Sequence, residues 1–270
     1  MRILAVVVAY RPNVASLCQN LALFSDEVEE ILLWKNSPFE IDYPKLVDYC
    51  GADETLTNCG ISYALNRAWK YAEEHGYDHL LIMDQDSRWE NFSAYLHKIQ
   101  TLPQGIYGPL VNGAQMFEDY QACDFLINSG MLVSLDLVRR IGGWCEDLFV
   151  DAVDVEFLLH AKMLGIPSYR VNAGMLWQQF GKRRKTSMGF YVYDYSPERL
   201  YGIFKNHIIV IRKYGHHARN LKNMFIRRWV LSRIPRIVLG EHNRVKKIKA
   251  ILKAVRDGFA TTVTKPDKSS

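Results

Sequence analysis

Residues 80–89 read LLIMDQDSRW, four apolar side chains running straight into two aspartates one residue apart. Burying a carboxylate without a partner is costly, and neighbouring carboxylates repel each other. Side chains at i and i+2 of an extended segment share a face, so Asp84 and Asp86 can approach one ion, directly or through water. Magnesium and manganese accept such oxygen ligands and keep waters or substrate phosphates in their remaining positions. The bland alternative is an acidic turn in water, and a lone pair of this kind does not separate the two.

Working outward, residues 78–86 read as a strand that carries the aspartates at its carboxyl end. Residues 2–9 form a first apolar strand, 14–25 have helical spacing, and 29–37 make a second strand ending in a polar turn. Residues 62–76 read as a helix with Gly76 as its C-cap, and 92–100 as another. Residues 124–143 read as strand, turn and helix, and 154–165 as an apolar-faced helix ending at Gly165. This alternation predicts an α/β domain with a mostly parallel central sheet, where ligands bind beyond the carboxyl ends of strands. A second acidic cluster, Asp151, Asp154 and Glu156, lies at the start of the 154–165 helix, where carboxylates are electrostatically favoured. Asp154 fits an N-cap there as readily as a functional base.

The chain has 270 residues, 49% of them hydrophobic, enough for one large domain with an appendage. Its net charge of +5 hides a division. Residues 1–181 hold 12 Lys and Arg against 24 Asp and Glu, a net of −12, while residues 182–256 hold 20 against 3, a net of +17. An acidic body would repel a nucleoside diphosphate unless a metal bridges the two. Five cysteines without a CxxC pair read as reduced thiols of a cytoplasmic protein. The opening apolar run is too short for a signal peptide and is better read as a buried strand.

The segments VVVAYRPN, NCGISYALNRAW, LLIMDQDS, NSGMLVS and GGWCEDLFVDAVDVEF, in this order, resemble the inverting family 2 glycosyltransferases of the GT-A fold, and most closely their bacterial rhamnosyltransferase-like branch. The likeness covers nearly the whole chain. It implies a GT-A domain over residues 1–195, a basic helical extension over 196–260 and a flexible tail over 261–270. It also implies transfer of a sugar from a nucleotide donor, dTDP-L-rhamnose or a UDP-hexose, to a lipid-linked glycan in surface polysaccharide assembly.

On that resemblance, Asp84 and Asp86 hold Mg2+ or Mn2+ on the donor pyrophosphate, with Gln85 between them. Asp154 is the general base, with Glu156 and Asp151 in support. Asn58, Gly60 and Asn66 lie against the donor, Ala9, Tyr10, Arg11 and Asn36 near the nucleoside, and Ser129 and Gly130 near the donor sugar and acceptor. Two positions depart from the pattern. Lys35-Asn36 stands where the branch has Asp-Asn, and Gln178 stands where it has a metal-ligating His. An amide oxygen is a weaker ligand than imidazole nitrogen.

These departures keep open a scaffold that has lost catalysis. A metal-dependent nucleotidyltransferase would carry a Gly- and Lys/Arg-rich phosphate loop near its start, which VVVAYRPNVAS is not. The cations of FGKRRKTS could form a loop closing over pyrophosphate or a solvated one. In residues 219–256, 12 Lys and Arg interleave with Phe225, Ile226, Trp229, Val230 and Leu231. That composition suits either a peripheral contact with the anionic inner face of the cell membrane or helices packed on a core. No nucleic-acid-binding motif accompanies it.

Overall fold

The computed structural model describes residues 1–50, 58–179, 181, 184–186 and 189–264, without the side chains of 48–50. The chain divides into two compact units, Met1–Gln178 and Gln179–Ser270.

The first unit holds β1 (Ile3–Ala9), α1 (Val14–Leu21), β2 (Glu30–Lys35), β3 (Leu46–Cys50), α2 (Ile61–Glu74), β4 (His79–Asp84), β5 (Ser87–Glu90), α3 (Phe92–Ile99), β6 (Ile106–Val111), β7 (Tyr120–Ala122), β8 (Met131–Ser134), α4 (Leu135–Ile141), α5 (Val153–Met163) and β9 (Ser168–Gln178). One sheet joins the strands in the order β3-β2-β1-β4-β8-β6-β9-β5, with β7 also on β9. The first four strands run parallel, and β8 lies antiparallel between β4 and β6. This is the α/β architecture that the alternating pattern predicts. The strands β1, β2 and β4 read as unbroken apolar runs because their interiors are buried on both faces, as parallel strands require.

Caps mark the helices locally. The Asn13 side chain accepts the Ser16 N–H at 3.0 Å before α1, and the Ser134 hydroxyl accepts the Leu137 N–H before α4. Helix α2 closes one residue earlier than its sequence suggests, with His75 at the cap and Gly76 beyond it at φ 70°. The strand read ahead of α4 begins at Met131; residues 124–130 lead into it as loop. Strand β9 breaks the alternation expected of a strand because its register on β6 shifts between Pro109 and Leu110, which pair with Val171 and Met175.

The second unit holds a short hairpin, β10 (Arg184–Lys185) with β11 (Tyr191–Val192), then α6 (Pro197–Tyr214), α7 (Arg219–Phe225), a π-helical segment (Ile226–Arg233), α8 (Ile234–Gly240) and α9 (Arg244–Ala260). The Ser196 hydroxyl caps α6, with Pro197 in its first turn. Leu200, Ile203, Phe204, Ile208, Phe225, Ile237, Ile251 and Ala254 form a core of its own. Trp229 and Val230 pack against that core, while Ile226 and Leu231 are exposed.

Part of the basic character is internal. Lys247 Nζ reaches Glu241 at 2.7 Å and Asp194 at 2.9 Å, and Arg184 reaches Asp194 at 2.8 Å. Arg233 lies 3.1 Å from Glu241, with its guanidinium over the rings of Tyr193 and Tyr195. Burial alone would raise the Asp194 carboxyl, but hydrogen bonds from Lys247, Arg184 and the His242 N–H hold it well below the usual range. Arg184 is therefore committed to a structural ion pair. Residues 182 and 183 of the basic run and 265–270 of the tail lie outside the described residues. Cys18, Cys59, Cys123 and Cys145 are free thiols. Among the described residues no helix is long and apolar enough to cross a membrane.

His207 of α6 is buried beside Phe225, with Nδ1 2.8 Å from the Ile203 carbonyl. Burial, reinforced by Arg228, moves its pKa from 6.5 down to about 4 despite that hydrogen bond. The unfolded chain therefore binds a proton that the folded chain refuses between these values. The associated stability is complete above pH 6.5 and is lost as the pH falls towards 4. Full titration corresponds to about 3 kcal/mol. Denaturant melts at several pH values should show this loss in the wild type and a shallower one in His207→Gln.

Candidate active site

The parallel registers bring the carboxyl ends of β1, β2 and β4 side by side, with Ala9 opposite Lys35 and Val8 opposite Asp84. The segments leaving these ends are tied together by amides. Gln85 Oε1 accepts the Tyr10 N–H at 2.7 Å, and its Nε2 donates to the Tyr10 carbonyl at 3.2 Å. The Asn36 N–H donates to the Ala9 carbonyl at 2.7 Å. The buried Asn36 side chain donates to the Gly60 carbonyl at 3.2 Å and accepts the Cys59 N–H at 3.1 Å. Asn58 Oδ1 accepts the Gly60 N–H at 3.0 Å. Arg11, at φ 48°, donates its N–H to Ser37 Oγ at 2.7 Å, and its guanidinium lies over the Tyr10 ring.

Asp84 sits on the other side of this rim. Its N–H donates to the fully buried Ser129 hydroxyl at 3.1 Å, and the neighbouring Gly130 N–H donates to the Ile82 carbonyl at 2.8 Å. Gln178, at the end of β9 opposite Ser87, donates its side-chain amide to Asp84 Oδ2. Asn112 locks the Gln178 backbone by a reciprocal pair of hydrogen bonds, each 2.9 Å. Asp86 is exposed by area, yet protein packed near its carboxyl desolvates it and raises it above the ordinary carboxylate range.

The acidic segment is stitched to the same rim through α2. The Ile61 N–H donates to the Phe149 carbonyl and the Ser62 hydroxyl to the Leu148 carbonyl, both at 2.7 Å. Ala152, at φ 67°, is the N-cap that turns the chain into α5. Asp154 is thus inside the first turn, and its Oδ1 accepts the Val155 N–H at 2.8 Å. Asp154 and Asp151 are half-buried and Glu156 is buried. Asn66 spends its amide elsewhere, on both backbone groups of Trp144 and on Glu146.

An oxygen ligand set at Asp84 and Asp86 fits a hard divalent cation, and Gln178 supplies a further observation. Its Oε1 is buried without a hydrogen-bond partner beside the carboxylate that its Nε2 contacts. A cation would give that oxygen a partner. Among the described residues no three His, Cys, Asp or Glu side chains converge.

No protein-family model matches the chain. It is 25% identical to the dTDP-rhamnosyl transferase RfbF of Shigella flexneri over 230 residues, covering 75% of this chain and 76% of that protein. The fold is similar to that of S. aureus TarS solved with UDP-GlcNAc, with a TM-score of 0.58 and 15% identity over 94% of this chain and 82% of the other. It is also similar to GalNAc-T7 solved with UDP, GalNAc and Mn2+, with a TM-score of 0.60 and 9% identity over 96% of this chain and 56% of the other. The chain is a glycosyltransferase of the GT-A fold.

In this glycosyltransferase Ser37, Asn112 and Phe149 join the rim without having stood out in the sequence. Only Asn112 carries a local signal: Asn112-Gly113 follows an apolar strand, and both residues have positive φ, 53° and 76°. The others contribute one hydroxyl and one backbone carbonyl, which no pattern marks. Gly60 is the tightest point. Its φ is 85°, and a Cβ there would lie 2.4 Å from the Phe149 carbonyl oxygen. Gly60→Ala should therefore destabilise the chain by at least about 1–3 kcal/mol. Thermal melts check this, and an unchanged melting temperature would mean that the rim has room to relax.

Proposed function

We propose that this glycosyltransferase moves a sugar, with inversion, from a nucleoside-diphosphate donor to a hydroxyl of a lipid-linked glycan during surface polysaccharide assembly. The favoured donor is dTDP-L-rhamnose, after the activity named for RfbF; the UDP ligands of the two solved neighbours keep a UDP-hexose as the alternative. One observation carries the reading: the aspartate pair closes β4 in the same rim as Tyr10, Asn36 and Gly60, with Ser129 and Gln178 on Asp84.

In this reading Ala9, Tyr10, Arg11 and Asn36 border the nucleoside, and Asn58 and Gly60 border the phosphates. Asn66 holds the 144–146 segment behind them. Asp84 and Asp86, with Gln178 beside them, hold Mg2+ or Mn2+, whose chemistry when bound is to offset the charge of the departing diphosphate. Gln85 fixes the turn between the two aspartates to Tyr10. Ser129 and Gly130 set the floor near the donor sugar.

An acceptor hydroxyl is a poor nucleophile at neutral pH. Asp154 takes its proton as the oxygen attacks the anomeric carbon from the side opposite the leaving group. The new C–O bond forms as the bond to the diphosphate breaks, so a single displacement inverts the configuration. The Val155 N–H on Oδ1 helps to orient the Asp154 carboxylate. Asp151 and Glu156 flank it and tune its field.

Two sets of variants test the assignment. Asp84→Ala and Asp86→Ala should each abolish the metal dependence of donor binding in calorimetry with Mg2+ or Mn2+, with the melting curve retained. Asp154→Asn keeps the shape but loses the proton acceptor. It should lower transfer by at least about a hundredfold with little change in donor affinity. Transfer within a few-fold of wild type would move the base to Asp151 or Glu156. Wild-type donor binding and metal dependence in both alanine variants would remove the metal assignment.

A further inference from the structure

The outer face of α9 carries a pattern that the second unit's core does not use. Lys247, Ile251, Ala254 and Gly258 face inward. Val245, Leu252 and Phe259 are spaced seven residues apart on the opposite side and remain 68%, 64% and 62% exposed. Seven residues fall about 20° short of two whole helical turns, so the three side chains form one stripe about 20 Å long. Ile248 and Val255 border the stripe on one side and pack against the core. Lys249 and Arg256 border it on the other, with Lys246 and Lys253 further round. Arg212 lies over the Phe259 ring at the end of the stripe, and the Arg244 guanidinium donates to the carbonyl of exposed Val238 at its start.

Singly exposed apolar residues are ordinary, but three in register beside four cations are not scattered. Two acidic side chains adjoin this arc: Asp257 is spent on Tyr201 and Arg256, and Glu198 lies near Lys246, so the cations are in excess. We propose that the α9 stripe docks on an anionic phospholipid surface, with Leu252 and Phe259 entering the headgroup boundary and Lys246, Lys249 and Lys253 meeting lipid phosphates. Charge selects this occupant. A second copy of the chain would set the same cations against each other, whereas a lipid surface of opposite sign complements the whole row. A lipid-linked acceptor would reside on such a surface, but the docking requires no step of sugar transfer.

The test is flotation of the full chain with vesicles of phosphatidylcholine alone and of equal parts phosphatidylcholine and phosphatidylglycerol, without donor or acceptor. The chain should float with the mixed vesicles and not with the neutral ones, and added salt should release it. Leu252→Asp/Phe259→Asp should lower recovery with the mixed vesicles by at least about tenfold, since both the apolar contact and the charge row are disturbed. Lys246→Glu/Lys249→Glu, two exposed changes away from the core, should weaken the same binding. This pair decides the matter if the first variant melts early. Equal recovery of wild type in the lipid-free fraction with both vesicle types overturns the proposal. So does wild-type flotation of both variants. Donor calorimetry on the same variants should remain unchanged, so a failure here is distinct from a failure of the transfer assignment.

Discussion

The parallel pairing of β4 on β1, with Val8 opposite Asp84, positions everything else at the site. Strand β1 is bonded on both edges and buried on both faces, so its register is held by Leu4, Ala5, Val6 and Val7 against Leu80, Leu81, Ile82 and Met83. A slip of one residue would turn each of these side chains to the other face of the sheet. With the register fixed, Tyr10, Asn36 and Gln85 leave three adjacent strands at one level, and their amides meet without further adjustment. The hydrogen bonds of Gln85 and Asn36 then fix loops that have no sheet ladder of their own. Each is individually modest, but leaving the buried Asn36 amide unpaired would cost about 1–3 kcal/mol.

The same physics explains what the sequence made legible. Strands β1, β2 and β4 were readable because two-sided burial leaves uninterrupted apolar runs. Helix α2 was readable because its moment is strong and Gly76 ends it; the Asp84–Asp86 pair was readable because charges directly after such a run need a reason. Strand β6 was hidden by Pro109, which argues against a central strand, and β9 by the shift that pairs Pro109 with its Val171 but Leu110 with its Met175. Strand β5 has four residues, too few for a period. The amide pair between Asn112 and Gln178 spans 66 residues, so no local reading reaches it. The composition change near residue 195 lies inside the second compact unit, whose start at Gln179 has no compositional mark.

Charge counting alone does not separate the internal cations of the second unit from those on its surface. A run of Lys and Arg suggests a solvated face, yet Arg184, Arg233 and Lys247 are engaged with Asp194 and Glu241. A buried pair contributes little net stability over an apolar one, but removing a single partner strands a charge in a poor dielectric. Two of the three carboxylates between residues 182 and 256 are consumed here, so the exposed cations of α9 outnumber the acidic groups beside them, Asp257 on Arg256 and Glu198 near Lys246. The internal network and the basic surface are therefore two sides of one composition.

The two departures from the resembled pattern have different physical weight. Lys35 is buried at the end of β2, its Nζ 5.2 Å from the Phe39 ring centre, and it offers donors where a carboxylate would offer acceptors. It leaves the rim intact, because Asn36 makes the hydrogen bonds that hold Ala9, Cys59 and Gly60. Gln178 lies against Asp84. Its backbone is clamped by Asn112, and its nitrogen points at Asp84 while its oxygen is buried without a partner. Turning the amide end for end would aim that oxygen towards Asp84, which two acceptors alone would resist. A divalent cation held by Asp84 would offset that repulsion. Were a metal held at Asp84 and Asp86, an amide in the place of an imidazole would keep its protein ligands all oxygen, the chemistry suited to magnesium or manganese over softer metals.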